Sequence, residues 1–84
     1  MAKGIIRYWA AARQAAGVGE EPYDAATLAE ALDAARADRG VDFGRVVARS
    51  SFLVDGHPVG ARAHDGVSLP EGGTVEVLPP FAGG

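Results

Sequence analysis

The chain has 84 residues, the size of one small domain, and a formal net charge of −3 at pH 7. It contains no cysteine, which excludes disulfides, thiolate nucleophiles, iron–sulfur clusters and thiolate zinc sites. Seven arginines and one lysine are spread along the whole chain, so no concentrated basic surface is expected for nucleic acid or an anionic membrane. We therefore expect protein partners, with no nucleic acid and no membrane.

The start of the sequence has neither the apolar core of a secretory signal nor a run of about 18 apolar residues. The sequence therefore predicts a cytoplasmic protein.

The first predicted elements are a strand and a short helix. Residues Ile5–Trp9 are mostly β-branched or aromatic, and both alternating sets of side chains contain large apolar groups. This pattern favours a central strand with little exposed on either face. We therefore expect Tyr8 and Trp9 to lie in the core. Residues 10–16 are helix formers, and Gly17 suits the left-handed position that ends a helix.

The next part of the chain predicts an edge strand and the main helix. Residues 20–24 are a weak strand candidate, and Pro22 confines that strand to an edge because it has no N–H for a ladder. Thr27 and Glu30 form a capping-box pattern. One apolar stripe with helical spacing follows, made of Leu28, Ala31, Leu32 and Ala35.

The second half predicts a short helical turn at residues 43–48 and then a hairpin. Residues 51–54 read as a strand that enters an Asp55–Gly56 turn, and residues 58–59 begin the returning strand. A last strand covers residues 74–78, with alternate valines on one face. The fold class is therefore α+β, with four to five short strands and one main helix.

The usual motifs of catalysis and metal binding are missing from the sequence. The Gly17–Gly19 stretch lacks the third glycine of a dinucleotide loop, and no Gly-Lys-Ser/Thr triplet is present. His57 and His64 do not have the spacing of metal ligands, so we expect both to be exposed and no metal to be bound. The sequence predicts no enzyme activity for the chain on its own and no bound cofactor.

The sequence ends in LPPFAGG, residues 78–84, and this ending is the strongest functional signal. Drawn from the chain's own composition, a Gly-Gly ending would occur roughly 2% of the time. The last strand must end near Leu78, because Pro79 and Pro80 donate no ladder hydrogen bonds and favour an extended chain. The six residues 79–84 reach at most about 20 Å, enough to enter a partner's active site.

The residues after the prolines suggest how such a tail would be used. Phe81 is a large apolar group suited to a pocket of a partner. Gly83 and Gly84 have no Cβ and fit a channel too narrow for other residues. The alternative from residue chemistry alone is an ordinary frayed terminus.

Four stretches together resemble the MoaD/ThiS family of ubiquitin-like sulfur carriers: IIRYWAAARQAAG, TLAEALDAARADRG, FLVDG and LPEGGTVEVLPPFAGG. The resemblance covers nearly the whole chain. It implies a β-grasp fold, in which a mixed sheet packs on one main helix and the first and last strands are central, with a domain at 1–78 and an extended tail at 79–84. The Pro-Pro pair and the length above 80 are most similar to the molybdopterin synthase small subunits of the family.

The resemblance implies that the carboxylate of Gly84 carries the chemistry. A ubiquitin-activating-type adenylyltransferase would adenylate it with ATP, and a sulfur donor protein would convert it to a thiocarboxylate. The synthase large subunit would then use that sulfur on cyclic pyranopterin monophosphate. The small residues Ala82 and Gly83 would let the tail pass through a narrow channel of the partner. The position of the tail would be set by Pro79, Pro80 and Phe81. A hydrophobic patch on the sheet would bind the large subunit.

Other functions remain open from the sequence. The chain is compatible with a sulfur carrier for thiamine thiazole or cysteine synthesis, which only the partner's identity distinguishes. It is also compatible with a ubiquitin-like modifier joined through Gly84 to lysines, or with a plain interaction domain whose tail has no role.

Overall fold

A computed structural model describes residues 1–80, which form five strands, three helices and one 3₁₀ turn at His64–Gly66. In chain order the main elements are β1 (Ala2–Tyr8), α1 (Ala10–Ala16), β2 (Glu20–Ala25), α2 (Leu28–Ala37), α3 (Val41–Arg49), β3 (Ser51–Val54), β4 (His57–Pro58) and β5 (Thr74–Leu78). The strand order across the sheet is β2-β1-β5-β3-β4. Strands β1 and β5 are parallel and the other pairs are antiparallel, so the predicted mixed β-grasp sheet is confirmed.

Strands β1 and β5 lie at the centre of the sheet, as predicted. Val75 and Val77 of β5 have no exposed surface, and Ile6 and Tyr8 of β1 are buried beside them on the same face. The prediction that both faces of β1 are covered is wrong, because Ile5 is 38% exposed on the opposite face. We call that opposite face the open face of the sheet.

The predicted edge strand β2 is confirmed. Its pairing register with β1 explains why a proline is tolerated in this strand. The backbone N–H of Tyr8 donates to the carbonyl of Gly19 (2.9 Å). Hydrogen bonds between antiparallel strands involve alternate residues, so Glu21 bonds towards β1 and Pro22 faces outward. The missing N–H of Pro22 therefore costs the β1–β2 ladder nothing.

Helices α2 and α3 cover the buried face. The capping box at Thr27 and Glu30 is formed in both directions, and the predicted apolar stripe is buried. Helix α3 has nine residues, longer than the predicted turn, because Phe43 and Val47 are one helical turn apart and both enter the core.

The hairpin between β3 and β4 has the predicted turn. Asp55 and Gly56 both have positive φ (50° and 80°), the backbone of the tight turns that suit hairpins. The side chain of Asp55 accepts a hydrogen bond from the backbone N–H of Thr74 (2.9 Å), which ties the turn to the start of β5. Strand β4 begins one residue earlier than predicted, at His57.

Candidate functional site

The chain leaves the sheet at the end of its central strand. Strand β5 ends at Leu78; Pro79 is buried and Pro80 is exposed. The backbone N–H of Trp9 donates to the carbonyl of Val77 (3.2 Å), so β1 finishes at the same place. We call this end of the sheet the tail end. The base of the tail is thus fixed by packing up to Pro79.

A small pocket lies at the tail end, next to the two prolines. Its volume is about 170 Å³, and Ala11, Val46, Arg49, Pro79 and Pro80 line it. Four of these side chains are apolar and one ends in a guanidinium group. The pocket can therefore accept an apolar side chain with a carboxylate nearby, which is the kind of contact a protein partner makes at the rim of an interface.

The structure places two of the residues expected to bind partners, Pro79 and Pro80, side by side at this pocket. The other expected site residues lie outside the described residues: Phe81, Ala82, Gly83 and Gly84. Their roles in anchoring, clearance and chemistry stay predictions.

The open face of the sheet is partly apolar near the tail end. Trp9 is 45% exposed, and its indole N–H donates to the carboxylate of Glu76 (3.1 Å). The prediction that Trp9 belongs to the core is wrong. The exposed positions alternate along the chain with the buried residues of β1 and are occupied by Ile5, Arg7 and Trp9. The charged side chain of Arg7 in this set is the sequence feature that could have predicted an exposed face.

Charged side chains surround these apolar groups. Arg7 lies between Glu20 and Glu76 in register across the three neighbouring strands. A surface that combines an exposed tryptophan with flanking charges of both signs resembles the composition of protein interfaces. This surface lies on the sheet but is more polar than the expected hydrophobic patch, whose role in binding a large subunit stays a prediction.

A polar cluster that sequence reasoning missed lies behind the open face, made of Tyr8, Glu21 and Arg39. The guanidinium of Arg39 donates to both carboxylate oxygens of Glu21 (2.8 and 3.1 Å), and the Tyr8 hydroxyl donates to the same carboxylate. Arg39 also lies over the ring of Phe43, 4.9 Å from its centroid. This cluster joins β1, β2 and the loop after α2.

Arg39 also closes two helix ends. Its side chain donates to the carbonyl of Ala16 at the end of α1 (3.2 Å) and to that of Ala35 near the end of α2 (2.8 Å). Carbonyls in the last turn of a helix have no partner within the helix, so a cation there is favourable. One side chain thus fixes two helices against the two strands at one side of the sheet.

The cluster shifts the pKa values of its members. Burial acts to raise the pKa of the Glu21 carboxyl, but hydrogen bonds from Arg39 and Tyr8 outweigh it and hold that pKa below its usual value. Burial, together with the hydrogen bond to Glu21, raises the pKa of the Tyr8 hydroxyl. Glu21 is therefore an ionised acceptor and Tyr8 a neutral donor at neutral pH, which is a structural pair.

The histidines do not form a metal site among residues 1–80, where no three side chains of the types His, Asp and Glu converge on one point. His57 is exposed in β4, as expected. His64 is half-buried with its ring edge-on to Phe52, 4.9 Å between centroids, so the expectation that it is exposed is wrong.

The sequence matches the model of the ThiS family over residues 6–84. The chain belongs to the ThiS family. It is a ubiquitin-like carrier domain of the MoaD/ThiS type, in agreement with the resemblance seen in its sequence and with the β-grasp sheet. None of the curated proteins compared with this ThiS-family chain matches it.

Several solved structures are similar to this chain over nearly its whole length. A molybdopterin converting factor subunit 1 from Pyrococcus furiosus is 26% identical, with a TM-score of 0.78, over 96% of this chain and 100% of that one. The HVO 2177 protein of Haloferax volcanii is 25% identical, with a TM-score of 0.77, over 99% and 87% of the two chains. Small archaeal modifier protein 1 from Methanosarcina acetivorans is 21% identical, with a TM-score of 0.80, over 100% and 98%, and supports the fold alone.

Within the described residues, every helix is too short or too polar to cross a lipid bilayer.

Proposed function

We propose that this chain is the sulfur-carrying small subunit of a molybdopterin synthase. In this proposal Gly84 bears the working carboxylate, which becomes a thiocarboxylate and gives its sulfur to cyclic pyranopterin monophosphate. The observation that carries the proposal is the position of the tail's base. The tail leaves the central strand at the tail end of the sheet, beside an exposed tryptophan and a small pocket that could receive one apolar side chain.

The chemistry requires a partner that activates the carboxylate. A carboxylate is a poor electrophile until one of its oxygens becomes part of a leaving group, so an adenylyltransferase that uses ATP would form the Gly84 acyl adenylate. A sulfur donor protein would then displace AMP. Since this chain has no cysteine, a thiocarboxylate is the one place where its own atoms can hold reactive sulfur.

The molybdopterin pathway is favoured over thiamine or cysteine synthesis by two observations. The Pyrococcus furiosus structure named a molybdopterin converting factor subunit matches end to end at 26% identity. The tail begins with two adjacent prolines, the feature in which the sequence most resembles the small subunits of molybdopterin synthase. The large synthase subunit would supply the groups that assist sulfur transfer. Among the described residues, the carboxylates near the tail end belong to Glu20, which lies opposite Arg7, and to Glu76, which is bonded to Trp9.

Intact mass of the protein purified from its own cells tests the proposal. A thiocarboxylate replaces one oxygen by sulfur, so a species about 16 Da heavier than the unmodified chain is expected. Treatment with a thiol-selective alkylating reagent should shift only the heavier species. Absence of that species from cells that are making molybdenum cofactor would contradict the proposal.

Two variants separate the tail's chemistry from the fold. Alanine appended after Gly84 should abolish the heavier species and molybdopterin formation, because the modified carboxylate is displaced by one residue. Asp65→Asn is the matched control, since it changes an exposed side chain in the 3₁₀ turn and touches neither the tail end nor the open face. Both variants should unfold at the urea concentration of the native chain.

A further inference from the structure

We propose that the outer edge of strand β2 is a second interaction surface, which binds an extended segment of a partner protein. The bound segment carries basic side chains on one face and apolar side chains on the other. We call this surface the β2 edge. The inference goes beyond the proposed function, because binding at the β2 edge does not involve the tail.

Strand β2 has backbone groups that no part of residues 1–80 uses. It lies at one end of the strand order and pairs with β1. That pairing uses the backbones of Glu21 and Tyr23, because ladder hydrogen bonds involve alternate residues. The backbones of Glu20, Pro22 and Asp24 point away from β1 and have no partner among residues 1–80. An extended peptide can bond to such an edge and add one strand to the sheet.

A groove below the β2 edge has room for side chains of the added strand. It lies between β2 and α2 and has a volume of about 200 Å³. Its α2 side consists of three alanines, Ala31, Ala34 and Ala35, and the buried Ile6 also lines it. Successive side chains of a strand point to opposite faces, so every second residue of the added strand faces these alanines. Apolar side chains therefore suit that face of the segment.

Charges on the open face of the sheet determine what suits the other face of the segment. In one row across the strands, Glu76, Arg7 and Glu20 are register neighbours and alternate in sign. In a second row, Lys3 of β1 is followed by Asp24 of β2. Both rows end at the β2 edge with a carboxylate. Opposite charges on adjacent strands stabilise pairing, so an added strand with basic side chains beside Glu20 and Asp24 continues both rows.

The register gives the sequence pattern of the segment. Residues opposite Glu20 and Asp24 are basic, the two residues that face α2 are apolar, and any residue fits opposite Pro22, which offers a carbonyl but no N–H. The β2 edge of a second copy does not fit this pattern, because it would bring carboxylates against carboxylates and one proline against another. The occupant is therefore a different protein.

The β2 edge lies apart from the base of the tail. Pro22 is opposite Ile5, and Ile5 is opposite Thr74, six residues before Pro80. The separation along the strands is therefore roughly 20 Å at about 3.3 Å per residue. A segment bound at the β2 edge leaves the pocket beside Pro80 open. One protein can thus hold this chain while another binds its tail end.

An NMR titration of the isotopically labelled full-length chain tests the proposal. The probe is the peptide acetyl-Ser-Arg-Val-Thr-Val-Arg-Ser-amide, and a peptide with glutamate in place of both arginines is the matched control. The arginine probe should shift the amide signals of Glu20, Asp24 and Ala34 and slow hydrogen exchange at the Asp24 N–H. The glutamate probe should not bind. Absence of binding at about 1 mM arginine probe, or shifts confined to other elements, would overturn the inference.

Variants assign the binding to this surface. Ala34→Leu fills the groove from an exposed position and should raise the Kd of the arginine probe at least about tenfold. Ala48→Leu makes the same change at an exposed position of α3 and should leave the Kd unchanged. Glu20→Lys combined with Asp24→Lys should reverse the preference, so that the glutamate probe binds and the arginine probe does not. Equal binding of both probes to the native chain, or a native Kd in Ala34→Leu, would refute the proposal.

Discussion

Replacement of Arg39 by methionine should destabilise the domain more than any other loss of a single charge. Methionine keeps an apolar stem over Phe43 but removes the bonds to Glu21 and to the carbonyls of Ala16 and Ala35. The side chains of Arg39 and Glu21 are only 18% and 26% exposed, so the carboxylate is left without its cation in a largely buried place.

The expected loss of stability lies between the values known for fully buried and for exposed ion pairs. Loss of one partner from a fully buried ion pair costs about 3–5 kcal/mol, whereas exposed pairs contribute about 0–1 kcal/mol. With partial exposure and two helix-end carbonyls also affected, we expect the free energy of unfolding to fall by about 2 kcal/mol. At a urea dependence of about 1 kcal/mol per molar for a small domain, the midpoint should fall by roughly 2 M.

Urea unfolding followed by circular dichroism measures this shift, and a double-mutant cycle with Glu21→Gln isolates the pair. We expect a coupling of about 1–2 kcal/mol at pH 7. The folded-state pKa of Glu21 is lowered, so its contribution is present above the carboxyl's ordinary value of 4.5 and is lost as pH falls through the lowered folded-state value. The coupling should therefore vanish in strong acid. A midpoint shift below roughly 0.5 M, or a coupling that does not change with pH, would refute the reasoning.

Two further predictions concern local packing and capping. Gly4→Ala should lower the free energy of unfolding by about 1–3 kcal/mol, because the new Cβ would overlap the carbonyl of Gly73 and the ring of Tyr23. An unchanged urea midpoint would contradict this prediction and show that the neighbouring atoms can move aside. Thr27→Ala should lower the free energy of unfolding by about 1 kcal/mol, because the backbone N–H of Glu30 loses its side-chain acceptor. The matched control Thr27→Ser keeps a hydroxyl acceptor and should unfold near the native urea midpoint.

Much of the fold could be predicted because local signals and burial agree. The capping box at Thr27, the apolar stripe of α2 and the Asp55–Gly56 turn each depend on residues close in sequence, and each is formed in the structure. The edge position of β2 followed from one proline, since only an outward-facing N–H can be lost without cost to a ladder.

The errors arose where distant residues decide the outcome. Trp9 is apolar by type, but its burial depends on which face of β1 the helices cover, and Glu76, 67 residues away, gives its indole a partner at the surface. The cluster of Arg39 with Glu21 was equally hidden, because 18 positions separate the two and no local pattern marks them. The candidate site was predicted from the composition of residues 78–84, and the chemistry expected of residues 81–84 stays a prediction.

The pairing of β5 on both sides has a mechanical consequence. A partner that draws the C-terminus into a deep channel pulls along the axis of this strand, against hydrogen bonds to β1 and to β3 at the same time. Such a load shears two ladders together and cannot unzip them one bond after another. Resistance to such a load is set by the unfolding rate under force, and the pairing of β5 on both sides makes that resistance greater than an edge strand would give.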